Sequence, residues 1–449
     1  MAFAAVILAA GKGTRMNSDL PKALHKVAHA SLLEHTLTSC APLKPEKTIL
    51  VVGHEAEQVR KAAKAIDPEI EVVMQNEQLG TGHALAQASE ALAGFEGDIV
   101  VLYADTPFIS AATMSAIKEK RHRSDLVVLG FHAQDPAKYG RLVTEGEDLT
   151  RIVEFKDANE TERAITLCNS GVMAGPAALL LSLVAHLKND NASGEYYLTD
   201  CIALAKDEGH SAQVVICEES ETLGVNSRHD LAQAEAIFQD RMRAYFLEAG
   251  VNMFAPETVY FSHDTVIGRD AVIEQNVIFA PNCTVESGAI IRAFSHLDGA
   301  HVSRGAVVGP YARLRPGAEI SEEGKIGNFV EIKNAQIGEG AKVNHLSYVG
   351  DATVGQGANI GAGAVTCNYD GVMKHHTDIG ENAFIGSSTM MVAPVTIGKN
   401  AMTASGSVIT KNVPDDALAL GRADQNNKLG MARKLMELLK KRKLKRDAN

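Results

Sequence analysis

From about Val251 to Ile409 an aliphatic residue returns every six positions. Ile267, Ile273, Phe279, Val285, Ile291 and Leu297 hold one register, and Val308, Leu314, Ile320, Ile326 and Ile332 hold a second. Ile337, Val343 and Val349 follow, then Val354 and Ile360, and Ile379, Ile385, Met391, Ile397, Thr403 and Ile409 close the series. Glycine often follows the aliphatic residue. About twenty such hexads predict a parallel β-helix, in which inward aliphatics stack into a continuous core and glycines sit at turns.

Two interruptions stand out. The register shifts near Ser303, and Thr366-Cys367-Asn368-Tyr369-Asp370-Gly371 to Asp378 adds roughly a dozen residues, which a solenoid can extrude as a functional loop. Just before that loop lie polar residues the repeat does not need: Arg313, Arg315, Lys333, His345, Tyr348 and Asn359. A lone histidine on such a surface is ordinarily just solvated. Cations near one histidine, one or two coils apart, suit a sugar phosphate with a general base beside it.

Residues 1–227 have a different texture. Apolar runs at Ala4–Leu8, Ile49–Gly53, Ile99–Tyr103 and Leu126–Gly130 alternate with helical patterns such as Glu55–Ile66 and Gly82–Ala93. This predicts an α/β, Rossmann-like, mostly parallel sheet, with ligands outside the carboxyl ends of its strands. Leu8-Ala9-Ala10-Gly11-Lys12-Gly13-Thr14-Arg15-Met16 lies at such an end. Gly11 and Gly13 admit close backbone approach, and Lys12, Arg15 and Lys22 add positive charge, so a polyphosphate is expected. The spacing is neither a Walker loop nor a dinucleotide fingerprint.

Asp105 follows another strand. There it could hold Mg²⁺ or cap a turn before Thr106-Pro107. Gln75–Gly82 is a polar loop that could read a uracil edge or be a plain turn. Asp230 to Gly250 reads as one helix capped by Asp230, with the stripe Leu231, Ala234, Phe238, Met242 and Phe246, and acts as a spacer. The expected organisation is 1–227, a linker helix 228–250, a β-helix 251–425 and a basic tail 426–449.

The formal charge is −11, yet Lys428–Asn449 carries nine Lys/Arg and two Asp/Glu, so the remainder stands at −18. That acidity argues against nucleic-acid binding. The tail predicts a short amphipathic basic helix with a solvated charge run; an acidic nucleotide or nucleic-acid partner is the weaker alternative. Six cysteines without paired spacing predict reduced thiols, a cytoplasmic location and no zinc site. No stretch predicts a membrane span, and Met1-Ala2-Phe3-Ala4 lacks the basic region of a signal peptide.

The Leu8–Met16 string with Lys22 resembles the signature of sugar-1-phosphate nucleotidyltransferases. With Gln78–Ala84, Leu314–Ala318, Gly327–Glu331 and Ile360–Gly371, nearly the whole chain resembles the bacterial family of bifunctional N-acetylglucosamine-1-phosphate uridyltransferases/glucosamine-1-phosphate acetyltransferases. The resemblance implies that the β-helix is left-handed. It also implies acetyl transfer from acetyl-CoA to glucosamine-1-phosphate, then uridyl transfer from UTP with Mg²⁺.

On the uridyl side it implies nucleotide and sugar contacts at Leu8, Ala9, Ala10, Gly11, Lys22, Gln75, Gly80, Thr81, Tyr103, Ala104, Asp105, Gly140, Glu154, Asn169 and Asn226. Arg15 and Lys22 would offset phosphate repulsion, and Asp105 and Asn226 would hold the metal. On the acetyl side, His345 would be the base and Arg315, Lys333, Tyr348 and Asn359 would hold the sugar phosphate. Ala362, Asn368, Tyr369, Ser387, Ser405 and Arg422 would line the acetyl-CoA groove. Two positions depart from the family: Ala104 replaces Gly and Ser405 replaces Ala. The family also implies a homotrimer joined through the β-helix.

Three rivals compete with this reading: a nucleotidyltransferase with a scaffold β-helix, a non-enzymatic regulatory subunit and a bare trimerisation scaffold. The first should lack His345 and the Asn368-Tyr369 loop, and the second should lack Lys22, Asp105 or Asn226. The third leaves residues 1–227 unexplained.

Overall fold

The computed structural model describes residues 2–11, 13–53, 56–136 and 139–447. Its contacts form two units, Met1–Tyr245 with Phe261–His263, and Phe246–Tyr260 with Asp264–Asn449.

In the first unit, strand Phe3–Ala9 pairs in parallel with Lys47–Val52 on one side and Asp98–Tyr103 on the other. Alternate side chains of that strand enter opposite cores: Ala4, Val6 and Leu8 join one, and Phe3, Ala5 and Ile7 the other. A strand buried on both faces must be apolar throughout, which explains the unbroken run. Glu71–Met74 extends the sheet in parallel. Leu167–Pro176 runs antiparallel between Asp98–Tyr103 and Leu126–His132, Ala212–Cys217 follows in parallel, and the hairpin Arg141–Glu145/Asp148–Val153 forms the far edge of nine strands.

Helix ends follow local chemistry. Ser31 Oγ accepts from Glu34 N (3.1 Å) and Glu34 Oε2 from Ser31 N (3.4 Å), a capping box that opens Leu32–Cys40. The helix expected over Gly82–Ala93 spans only Thr81–Ala86, and the residues beyond it form turns. The one expected from Glu55 runs over Ala56–Ile66; Glu55 lies outside the described residues.

The long helix is Arg228–Glu248, so it starts two residues before Asp230. Asp230 is not its cap. Ser227 Oγ accepts from Asp230 N (3.2 Å) and Asp230 Oδ2 accepts from Ser227 N (2.9 Å), which places Asp230 inside the first turn of a second capping box. Ala234 is buried, and Leu231 and Phe238 pack against Val27, Phe108 and Val225.

The second unit is a left-handed parallel β-helix. Three inward columns run its length: Ile267, Val285, Val302, Ile320, Ile337, Val354, Ile379 and Ile397 form one, with Ile273 and Phe279 belonging to the other two. Each of these ten residues is buried. The shift near Ser303 is a five-residue step, from Leu297 to Val302. The same step recurs before Ile337 and Val354, so a coil holds 18 residues or 17. Ala352 pairs with Thr377, and residues 368–376 leave the coil as the expected loop.

Threonine enters the columns where its hydroxyl is satisfied. Thr366 accepts from Gly350 N (2.8 Å) and donates to Gly350 O (2.9 Å), and Thr403 accepts from Gly386 N (3.0 Å).

One corner is outwardly apolar. Phe294, Tyr311, Phe329 and Leu346 occupy it on successive coils, all with left-handed backbone and all exposed. The first three rings stack with centroids 4.8 and 5.3 Å apart. The tail forms a helix, Met431–Asp447, exposed throughout. All six cysteines are free thiols, and among the described residues no helix is long and apolar enough to cross a membrane.

Candidate active sites

At the carboxyl ends of the parallel strands lies a cleft of about 240 Å³. The Leu8–Gly11 segment, Lys22, the Gln75–Thr81 loop and Tyr103, Ala104 and Asp105 line it. Gly13 is needed here on two counts: its φ is +60°, and a Cβ would fall 2.9 Å from Lys22 Cβ. Ala104 is buried and is not among the left-handed residues, so its extra methyl brings no backbone strain. Lys12 lies outside the described residues. Arg15 sits exposed on the short helix Thr14–Met16 and does not line the cleft.

The Gln75–Gly82 loop is tied down rather than free. Buried Gln75 donates through Nε2 to Gly80 O (3.1 Å), and Thr81 Oγ1 accepts from Leu198 N (3.1 Å). Next to the cleft, Asn169 N donates to Gly140 O (2.9 Å), and Thr199 Oγ1 donates to Glu154 Oε1 (3.3 Å). Burial pushes the Glu154 carboxyl above its ordinary range, with the Thr199 hydrogen bond as a partial offset.

Lys22 Nζ pairs with Asp105 Oδ2 and lies 3.1 Å from Asn226 Oδ1. Asp230 holds Asn226 in place by accepting from its backbone N (2.9 Å), and Val225 N donates to Asp105 O (2.8 Å). Two hard oxygen donors thus converge on one cationic position, a donor set that suits Mg²⁺. Among the described residues no group of three or more His, Cys, Asp or Glu could hold a metal. A cation between Asp105 and Asn226 would therefore complete its shell with phosphate and water oxygens.

The β-helix carries a second constellation. On the face that follows the Leu297–Leu314–Ile332–Val349 column, Arg315 Nη1 donates to Glu331 Oε1 (2.8 Å), with Arg313 Nη1 at 3.6 Å from Glu331 Oε2. One coil on, Lys333 Nζ lies 3.4 Å from Asp351. Asp351 also accepts from Asn334 Nδ2 (2.7 Å) and from Asn368 Nδ2. Tyr348 lies across residue 350, where a Cβ would come 2.3 Å from its hydroxyl oxygen; only glycine leaves that room. The loop brings Lys374 onto Lys333, which pushes the Lys374 ammonium below the ordinary lysine range by hydrogen bonding and repulsion.

His345 stands around the corner from Tyr348, and its Nδ1 donates to Asn328 Oδ1 (2.8 Å) one coil below. Above it rises a ladder of backbone rungs. Gly363 N donates to His345 O (3.1 Å), Ser388 N to Ala362 O (2.8 Å) and Gly406 N to Ser387 O (2.8 Å). Arg422 Nη1 donates to Ser405 O (2.9 Å). His345, Ala362, Ser387, Ser405 and Arg422 thus form one vertical series, spaced about 4.8 Å per coil, along a corner lined by small residues.

Asn359 sits on the adjoining face, in register with Lys342, and Tyr369 is exposed in the loop. Sequence reasoning missed Asn328, Glu331, Asp351 and Lys374. Coil-length spacing from His345 and Lys333 would have found Asn328 and Asp351.

Residues 5–193 match the MobA-like NTP transferase domain, and residues 264–299 and 376–411 match the bacterial transferase hexapeptide (six repeats). The Bifunctional protein GlmU of Ruegeria sp. (strain TM1040) is 64% identical over 443 residues, covering 99% of each chain. That of Jannaschia sp. (strain CCS1) is 60% identical over 438 residues, covering 98% of this chain and 96% of the relative. That of Ruegeria pomeroyi is 62% identical over 443 residues, covering 99% and 98%.

Proposed function

The chain belongs to the family of bifunctional GlmU proteins, and from that premise we propose that it makes UDP-N-acetylglucosamine in two steps. The β-helix transfers acetyl from acetyl-CoA to the amine of glucosamine-1-phosphate. The N-terminal unit then joins N-acetylglucosamine-1-phosphate to UTP and releases pyrophosphate.

The observation that carries the bifunctional reading is the His345–Asn328 pair at the foot of the corner ladder. An amide oxygen accepts only, so His345 Nδ1 carries the proton, and in the neutral imidazole Nε2 then keeps a lone pair. Nε2 takes the amine proton as nitrogen attacks the thioester carbonyl. The carbon–sulfur bond breaks, and the departing thiolate leaves with a proton as free CoA. Arg315, Lys333 and Lys374 offer cations to the sugar phosphate.

In the N-terminal unit a sugar-phosphate oxygen attacks the α-phosphorus of UTP, and the bond to pyrophosphate breaks. Both reactants are anionic. Lys22 offsets their repulsion, the Leu8–Gly11 backbone orients the triphosphate, and Glu154 and Asn169 position the sugar. Mg²⁺ held by Asp105 and Asn226 would neutralise further phosphate charge.

A homotrimer joined through the β-helix fits the exposed Phe294–Tyr311–Phe329–Leu346 corner, an apolar strip beside His345. The free thiols fit a cytoplasmic location.

The test supplies acetyl-CoA, glucosamine-1-phosphate, UTP and Mg²⁺ to purified protein. UDP-N-acetylglucosamine, free thiol and pyrophosphate should all appear. Pyrophosphate only when N-acetylglucosamine-1-phosphate is supplied, with no thiol, would make the β-helix a scaffold.

A further inference from the structure

Lys22 stands where a divalent cation would. Its ammonium pairs with Asp105 Oδ2 and lies 3.1 Å from Asn226 Oδ1, so both oxygens are engaged by one internal cation. Two cations cannot share that position, because their repulsion at contact distance in a partly desolvated cleft is large.

The main chain behind the two oxygens is tied down, and the ammonium is on the longest and most flexible stem. Asp105 is held through its carbonyl by Val225 N (2.8 Å), and Asn226 through its amide by Asp230 (2.9 Å). Lys22 reaches the pair on a flexible four-carbon stem. Its side chain is 16% exposed and lines the cleft next to the Leu8–Gly11 backbone expected to cradle a polyphosphate.

We propose that Lys22 is an internal stand-in for the metal. In the free protein its ammonium fills the cation position and neutralises Asp105. A triphosphate entering the cleft offers that ammonium a more highly charged partner, Lys22 swings to it, and the Asp105–Asn226 pair opens to a divalent cation. Nucleotide and metal then favour each other's binding reciprocally. The inference rests on Asp105 and Asn226 being the metal ligands, and the test separates the two claims.

Mn²⁺ is titrated into the full-length protein without nucleotide, with the free ion followed by electron paramagnetic resonance. Lys22→Met should bind Mn²⁺ about tenfold more tightly than the unaltered protein, a gain of ordinary coupling size. Adding Asp105→Ala to Lys22→Met should abolish the gain. If Lys22→Met shows no gain while Asp105→Ala alone weakens binding, the stand-in role is wrong and the metal ligands stand. If the gain survives Asp105→Ala, the ion binds elsewhere and both claims fail.

A second measurement needs no variant. Acetic anhydride labelling of Lys22, read by peptide mass spectrometry, should rise when Mn²⁺ is added to the unaltered protein. Unchanged labelling at saturating Mn²⁺ would overturn the proposal.

Discussion

Asn328 and His345 are hydrogen-bonded side chain to side chain across adjacent coils, 2.8 Å from Oδ1 to Nδ1. In the neutral imidazole the pair sets the tautomer and leaves Nε2 free for the base role we propose. His345→Ala should lower acetyl transfer by 10²- to 10⁴-fold and spare uridyl transfer. Asn328→Ala should lower kcat for acetyl transfer by about 10- to 100-fold, the scale of losing an orienting partner, with KM little changed. Steady-state assays of both activities check this; loss of both in a folded variant would count against separate sites.

Asp105 and Asn226 converge on one cation position. Asp105→Ala should therefore abolish the Mg²⁺ dependence of uridyl transfer along with most of its rate, leaving acetyl transfer intact. A Mg²⁺ titration of the variant decides it, and an unchanged dependence would remove Asp105 from the metal site.

Asp351 touches both Lys333 and Asn368, the residues we propose for the sugar phosphate and for acetyl-CoA. Asp351→Asn should raise KM for both substrates by about tenfold while kcat changes less. Burial raises this carboxyl, but the amides of Asn334 and Asn368 and the Lys333 ammonium outweigh it, so its pKa is lowered overall. Its stabilising contribution is present above the ordinary carboxylate range and is lost as pH falls through the folded-state pKa. Thermal melts of the unaltered protein should thus fall more steeply in acid than those of Asp351→Asn.

Glu154 is shifted the other way, upward, by burial. Folding then disfavours its charged form: stability is greatest below the ordinary carboxylate pKa and falls as pH rises through the folded one. At neutral pH, Glu154→Gln should raise Tm while weakening sugar binding. Calorimetry and sugar-phosphate titration test the two halves; a lower Tm would refute the burial argument.

The helix that starts at Arg228 supports the segment that carries Asn226, one of the two proposed metal ligands. Asp230 caps Asn226, Arg228 Nε donates to Met16 O (3.2 Å), and Glu235 accepts from Ala28 N (2.8 Å). A fragment ending at Arg228 should lose uridyl transfer, whereas one ending at His263 should keep it. Equal activity in the two would show that the helix is dispensable.

Much of this protein was legible in its residues alone. The six-residue period forced a β-helix because only stacked coils bury every sixth aliphatic in one core. The unbroken Ala4–Leu8 run, buried on both faces, forced a covered parallel sheet. The Leu8–Met16 string and the cations clustered near His345 stood out by composition, whereas Asp105 by itself read equally as a turn residue and gained its expected role from the family resemblance. The tertiary structure decided which side chains meet. Five-residue steps alter the coil length, so the neighbours of His345 and Lys333 lie 17 or 18 residues away, and Asn328 and Asp351 are found only by counting whole coils rather than from any adjacent motif. Lys22, Asp105 and Asn226 are likewise distant in the chain, and only the folded sheet and the capping of helix Arg228–Glu248 bring two oxygens and an ammonium to one point.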